Sequence, residues 1–321
     1  MLNQKIKVSL VVPVFNEDEN LRNMVAELQQ VLDGDGLNYE LLLIDDGSTD
    51  RSPSLLKELA ADSLRIKVIL LRRNFGQTAA MAAGFDHARG EVIVPMDGDL
   101  QNDPRDILNL LAKLDEGYDV VSGWRKDRKD KFFSRRLPSI IANALISRMT
   151  GVSLHDYGCS LKVYRREALS GVNLYGELHR FMPALASQSG ARVTEIPVNH
   201  RPRTAGESKY GIDRTLRVVL DLITVKFLLK YSTRPLQLFG KWAFGAFTLS
   251  LVVFLTTIYM KYGEALSMNR NPLLILSAFL LFSGVQFIAL GLLGELVTRT
   301  YHEVQDKPIY TVKETVNFED G

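Results

Sequence analysis

Two aspartates, Asp97 and Asp99, stand two positions apart around Gly98, just after the short apolar run Val92-Ile93-Val94. The run reads as a buried strand, and on a strand residues i and i+2 point to one face. At the strand's end, where Gly98 lets the chain turn, both carboxylates can reach one point in space. Two hard oxygen donors converging there suit Mg²⁺ or Mn²⁺, ions that often take their remaining ligands from substrate phosphates. A polar turn after a strand shows the same pattern, so the pair takes its meaning from the rest of the chain. A second acidic cluster, Asp45-Asp46-Gly47-Ser48-Thr49-Asp50, closes the apolar segment Glu40 to Ile44. No G-x-G-x-x-G follows the first apolar segment and no G-x-x-x-x-G-K-[ST] occurs, which argues against a dinucleotide cofactor or a P-loop nucleotide. A nucleotide diphosphate held through a divalent metal fits better, since the metal would neutralise the charge that builds on the leaving diphosphate.

These acids need strand ends to sit on. Residues 6–15, 40–44, 67–71, 91–96 and 120–123 read as strands, and 17–33, 77–88 and 104–115 as helices. Ser52 reads as the cap of a further helix, with Pro53 in its first turn. Strands alternating with helices predict a mostly parallel α/β sheet covered on both faces, continuing to about residue 203. In such sheets ligands lie at the carboxyl ends of strands, where both acidic clusters fall.

From residue 124 the texture changes. Arg125, Lys126, Arg128, Lys129, Lys131, Arg135 and Arg136 crowd a short interval that suits a solvated loop, an anionic partner or a membrane surface. Residues 212–231 have a broad apolar face with cations along it, a pattern shared by interfacial and core helices. Trp242 to Met260 and Pro272 to Gly294 then run 19 and 23 residues without a charge. Each is long enough to cross roughly 30 Å of hydrocarbon, and the short connection makes them a hairpin. Arg234, Lys241, Arg299 and Lys307 flank the outer ends of the pair, while the connecting loop has only Lys261 and Arg270 as cations. The bias is modest and places both termini in the cytoplasm. The tail is polar, with a short strand expected near 309–312.

The chain has 321 residues, 46% of them hydrophobic, and a net charge of +2, which implies no nucleic-acid partner. Its one cysteine, Cys159, excludes an internal disulfide framework and reads as a small buried hydrophobe. His155, His179 and His200 lack ligand spacing and read as structural or surface residues. The amino-terminal apolar run is interrupted by Pro13 and lacks a cleavage site, so it reads as a strand and not as a signal peptide.

Pro13-Val14-Phe15-Asn16-Glu17, Asp45 to Asp50, Arg73-Asn74-Phe75-Gly76 and Asp97-Gly98-Asp99-Leu100-Gln101 together resemble a family 2 glycosyltransferase of the A-type, Rossmann-like mixed-sheet fold. With the hairpin, the chain resembles the polyisoprenyl-phosphate subgroup, to which dolichyl-phosphate mannose synthase and bacterial undecaprenyl-phosphate glycosyltransferases belong. The resemblance implies a catalytic domain over 1–211, an interfacial region over 212–235, a transmembrane hairpin over 236–296 and a cytoplasmic tail over 297–321. It implies inverting transfer of a sugar from a nucleotide sugar, with uridine the bacterial-style expectation, to a polyisoprenyl phosphate such as undecaprenyl phosphate at the inner membrane. The product would serve cell-envelope glycan or lipopolysaccharide modification.

By the same resemblance Pro13, Phe15, Glu17 and Asp45 or Asp46 line the nucleoside pocket. Asp97 and Asp99 hold Mg²⁺ or Mn²⁺, with Gln101 nearby. Arg125, Arg135 and Ser139 match positions that bind the lipid phosphate, and Arg203 to Lys209 a segment that reaches the phosphates. Asp156 matches an acid near the reacting centre. A phosphate monoester has its second pKa near 6, so the acceptor is largely ionised already and Asp156 is expected to position and not to act as base. A homotetramer is expected, with Gly284, Gly291 and Gly294 allowing close helix approach. Two rival readings compete. A processive polysaccharide synthase carries a Gln-x-x-Arg-Trp motif, which neither Trp124 nor Trp242 supplies. A non-catalytic membrane scaffold would have no use for Asp97 and Asp99.

Overall fold

The structure is a computed structural model that describes residues 6–126, 143, 146–148, 150–172, 174, 178–202, 235–263, 271–304 and 308–318. Two compact units emerge, Met1–Leu222 with Pro308–Gly321, and Ile223–Lys307.

The first unit is built on one mixed sheet. Its strands are β1 (Val8–Val14), β2 (Tyr39–Asp45), β3 (Ile66–Leu71), β4 (Val92–Pro95), β5 (Val120–Trp124), β6 (Lys162–Arg165), β7 (Val193–Pro197) and β8 (Val312–Val316). They lie in the order β7-β5-β6-β4-β1-β2-β3-β8. The pairs β1–β2, β1–β4, β2–β3 and β5–β7 are parallel, while β6 runs antiparallel to β4 and β5, and β8 to β3. The central strands are apolar on both faces because helices cover both. Leu10 and Val12 pack under α1 (Asp18–Gly34) and α4 (Asp106–Asp115), against Leu21, Met24, Leu28 and Leu110. Val11 faces the other way, onto α3 (Gln77–His87), whose alanines bring it close to the sheet. A Cβ at Gly84 would overlap Val11, so the approach depends on that glycine.

The expected elements are present with boundaries shifted by a residue or two. Ser52 departs from expectation. It is already the first residue of α2 (Ser52–Asp62), and Asp50 accepts its N–H at 2.9 Å. The Ser52 hydroxyl instead accepts from the Glu17 amide at 3.1 Å, tying the loops after β1 and β2 together.

The tail strand falls at Val312–Val316, later than expected, and covers the β3 edge. Its flanks are fastened too. Lys57 pairs with Glu314 at 2.7 Å, the Tyr310 hydroxyl donates to Asp86 at 2.8 Å, and the Asn317 amide donates to the carbonyls of Ala60 and Ile66.

The second unit holds two long helices, Pro235–Gly263 and Pro272–Val304. Only 17% and 11% of their most apolar windows are buried, the reverse of a soluble core helix, so their apolar faces need another medium. They point to membrane association. Trp242 lies near one end of the first helix and Tyr259 and Tyr262 near the other, the placement of interfacial aromatics. Between the helices the Ser250 hydroxyl donates to the Ser277 carbonyl at 2.7 Å. Gly284 is used inside this pair: a Cβ there would overlap the Phe247 ring. Gly284→Leu is therefore expected to separate the helices and lower the yield of folded protein from membranes, and an unchanged yield and melting point would refute that packing role. The 212–231 segment lies outside the described residues.

Candidate active site

β1 pairs with β4 only as far as Val11 and Pro95, but stays with β2 as far as Val14 and Asp45. The order reverses between β1 and β4, so a crevice opens at their carboxyl ends. Pro13 falls where β4 has already left, so its missing N–H costs no ladder bond on that side. Phe15 and Glu17 follow on the lip, both half-buried.

The second wall is the Asp45–Asp50 loop. Asp45 accepts from the Ser48 amide, at 3.2 and 3.3 Å to its two oxygens. Asp46 accepts from the amides of Phe75 and Gly76 at 2.8 and 2.9 Å, which fastens the Arg73–Gly76 loop at the start of α3. Burial pushes both carboxyls up from their ordinary range, against those hydrogen bonds. Gly47 has φ +70°, and a Cβ there would overlap the backbone of Arg73 and Asn74. Gly47→Ala is expected to cost at least about 2 kcal/mol, read as a fall in the denaturation midpoint; an unchanged midpoint would show that the loops do not need this approach.

Asp97 is half-buried and Asp99 is 8% exposed. Gln77, at the start of α3, donates to Asp97 at 2.7 Å. The Gln101 amide donates to Asp99 at 3.2 Å. Between them Leu100 has φ +59°, a left-handed conformation uncommon for a branched residue and found where a site fixes its backbone. Burial, and then the charge of Asp99, push the Asp97 carboxyl up, while Ser160, Arg125 and Lys162 oppose this. Two carboxylates that repel each other at a crevice fit a divalent cation, which would relieve the repulsion. Among the described residues no group of three or more acidic, His or Cys ligands forms, so further donors would come from substrate or water.

Arg125 follows β5. Its Nε donates to Asp156 Oδ2 at 2.7 Å and its Nη2 to Oδ1 at 3.0 Å, a bidentate pair with side chains 15% and 4% exposed. Burial opposes the guanidinium charge, but the bonds to Asp156 outweigh it and the net shift is upward. The Gly158 amide also donates to Asp156, at 3.1 Å. Beside them His155 stacks on Trp124, ring centroids 4.4 Å apart, and pairs with Glu195. Cys159 is fully buried, and burial pushes its thiol up to about 11. It should resist iodoacetamide at neutral pH until the protein is denatured; rapid labelling of the native protein would contradict this environment.

The segment 199–202 runs beside the acid pair. The Arg201 amide donates to the Gln101 carbonyl at 2.9 Å, and its guanidinium reaches Asp103 at 3.2 Å and Glu27 at 2.7 Å. Arg135, Ser139, Arg203 and Lys209 lie outside the described residues.

The structure thus brings together Pro13, Phe15, Glu17, Asp45, Asp46, Asp97, Asp99 and Gln101 around one crevice, with Arg125 and Asp156 paired in the same unit. Sequence reasoning missed Gln77, Ser160 and Lys162. Lys162 left one signal, a charge inside the apolar run Leu161 to Tyr164.

This sheet, with an acid pair at the carboxyl end of its switch-point strand, defines a glycosyltransferase of the A type. The chain belongs to glycosyl transferase family 2, whose pattern matches residues 9–172. It is 43% identical over 315 residues to the dodecaprenyl-phosphate galacturonate synthase of Rhizobium johnstonii, covering 97% of this chain and 93% of that one. Among solved structures it resembles the glucosyl-3-phosphoglycerate synthase of Mycobacterium tuberculosis, solved with Mn²⁺, uridine-diphosphate-glucose and phosphoglyceric acid. The TM-score is 0.54 at 16% identity, over 68% of this chain and 79% of that one. The mannosyl-3-phosphoglycerate synthase of Rubrobacter xylanophilus gives 0.54 at 15% identity, over 69% and 74%. Both likenesses concern the fold.

Proposed function

We propose that the protein transfers a sugar from a nucleoside-diphosphate sugar, UDP-linked in our reading, to a membrane polyprenyl phosphate, with inversion. The observation that carries this is the coexistence, in one chain, of the paired acids at the crevice and two helices of membrane-crossing length. The nearly full-length likeness to a dodecaprenyl-phosphate galacturonate synthase supports the acceptor class and makes galacturonate the first sugar to test. Asp97 and Asp99 hold Mg²⁺ or Mn²⁺, which supplies neutralising charge to the departing diphosphate. Pro13, Phe15, Glu17 and Asp45 or Asp46 line the nucleoside site, and Gln101 adjoins the metal.

Arg125 keeps donors beyond the two given to Asp156, enough to meet the lipid phosphate together with Arg135, Ser139, Arg203 and Lys209. The last two follow Arg201 and Pro202, where the chain is fastened to the acid motif. Asp156 orients Arg125, and the acceptor oxygen, ionised above roughly pH 6, attacks without a base. In this reading the catalytic domain spans 1–211, the interfacial region 212–235, the transmembrane hairpin 236–296 and the tail 297–321, with Pro308–Gly321 belonging to the catalytic unit. β8 comes after the hairpin and pairs with β3, which precedes it; this supports both flanks of the hairpin on one side of the membrane, in our reading the cytoplasmic side of the inner membrane, from the cations at its outer ends.

The test supplies purified protein with undecaprenyl or dodecaprenyl phosphate, Mn²⁺ or Mg²⁺ and a panel of UDP-sugars including UDP-galacturonate. The expected product has the mass of the lipid phosphate plus one sugar. A growing polymer would favour a processive synthase, and no product and no donor binding would favour a scaffold. A homotetramer remains a separate proposal, checked by mass in mild detergent; monomers alone would reject it.

A further inference from the structure

The turn 156–160 carries both arms of the site's support. Asp156 grips Arg125 at one end. At the other, Ser160 accepts from Asn102, next to the acid motif, at 3.0 Å. Under this turn lies Lys162, the first residue of β6, in register with Ser122 of β5 and 3% exposed. Its ammonium donates to the carbonyl of Cys159 and, at 3.4 Å, to that of Tyr157.

Burying an ammonium costs several kcal/mol in lost hydration, and two carbonyls restore only part of it. Burial accordingly pulls its pKa down, and Asp156 and Asp97 act against this through charge. If the position only filled space, methionine would fill it without that cost. The lysine gives the turn what an apolar side chain cannot, a donor that fixes two carbonyls between the two gripping residues.

We propose that Lys162 is a positioning residue whose ammonium pins the carbonyls of Tyr157 and Cys159, so that Asp156 meets Arg125 and Ser160 meets Asn102 in one fixed arrangement. The kinetic part of the test rests on the sugar-transfer reading above, and wild-type turnover checks that reading separately.

Lys162→Met is expected to fold, to lower kcat by about 10- to 100-fold, as loss of supporting contacts typically does, and to leave both KM values within about threefold. Lys162→Gln keeps amide donors without the charge and should recover most of the loss. Combined with Asp156→Asn, Lys162→Met should add nothing beyond the slower single variant, because both act through one turn. A second readout needs no substrate. In a Trp242→Phe background the fluorescence of Trp124, stacked on His155 next to this turn, should change in Lys162→Met and stay near wild type in Lys162→Gln. Wild-type kcat with unchanged fluorescence in Lys162→Met, losses that multiply with Asp156→Asn, or a Lys162→Gln variant as impaired as Lys162→Met would each overturn the proposal. If Lys162→Met fails to fold, the Lys162→Gln variant decides by the same two measurements: near-wild-type values uphold the donor role and Met-like failure rejects it.

Discussion

Asp99→Ala should abolish turnover, by about a thousandfold or more, while the protein still folds and stays with the membrane fraction. The fold should survive because Asp99 makes a local bond to the Gln101 amide, and removing it takes one of two repelling charges from beside Asp97. A stability change within about 1 kcal/mol is therefore expected. The same argument makes activity depend on a divalent cation: excess chelator should stop the reaction and Mn²⁺ or Mg²⁺ restore it. Full turnover in chelator, or an active Asp99→Ala, would remove the acid pair from the chemistry.

The second large effect is expected at Arg125. Arg125→Ala strands the Asp156 carboxylate, 4% exposed, without its guanidinium. Breaking a buried pair from one side costs about 3–5 kcal/mol, or a fall in melting temperature on the order of 10 °C. Asp156→Asn is gentler on the fold, since an amide still offers an oxygen. Its kcat should be depressed by a factor that stays nearly constant between about pH 6.5 and 8.5, because an acceptor ionised above roughly pH 6 needs no base. A defect that vanishes towards the alkaline end would restore Asp156 as a general base. In the residual activity of Arg125→Ala the KM for polyprenyl phosphate should rise more than that for the donor; the reverse would assign Arg125 to the nucleotide sugar.

The parts of this site legible in the sequence are those whose chemistry is local. Asp97 and Asp99 share a strand end, and alternating strands and helices foretell where that end opens. What escapes are contacts across long stretches of chain. Gln77 meets Asp97 over 20 residues and Asn102 meets Ser160 over 58, and no periodicity reports such pairs. Ser52 has the residue type of a cap, but Asp50 does that work because the Ser52 hydroxyl is taken by a loop 35 residues away. The glycines of the second long helix suggest contacts between copies, whereas Gly284 is filled by Phe247 of the neighbouring helix in the same chain. Apolar residues at 309–312 draw the expected tail strand too early. Its pairing is set by β3, whose edge no local pattern describes.

That last strand also fixes an order of events during synthesis. The ribosome makes β3 early and β8 last, with both long helices in between. Until the tail emerges, the β3 backbone presents an open edge, the kind of surface that recruits other chains. A chain stalled or cut before β8 therefore carries a sticky, incomplete catalytic unit, whereas the finished one carries its own seal.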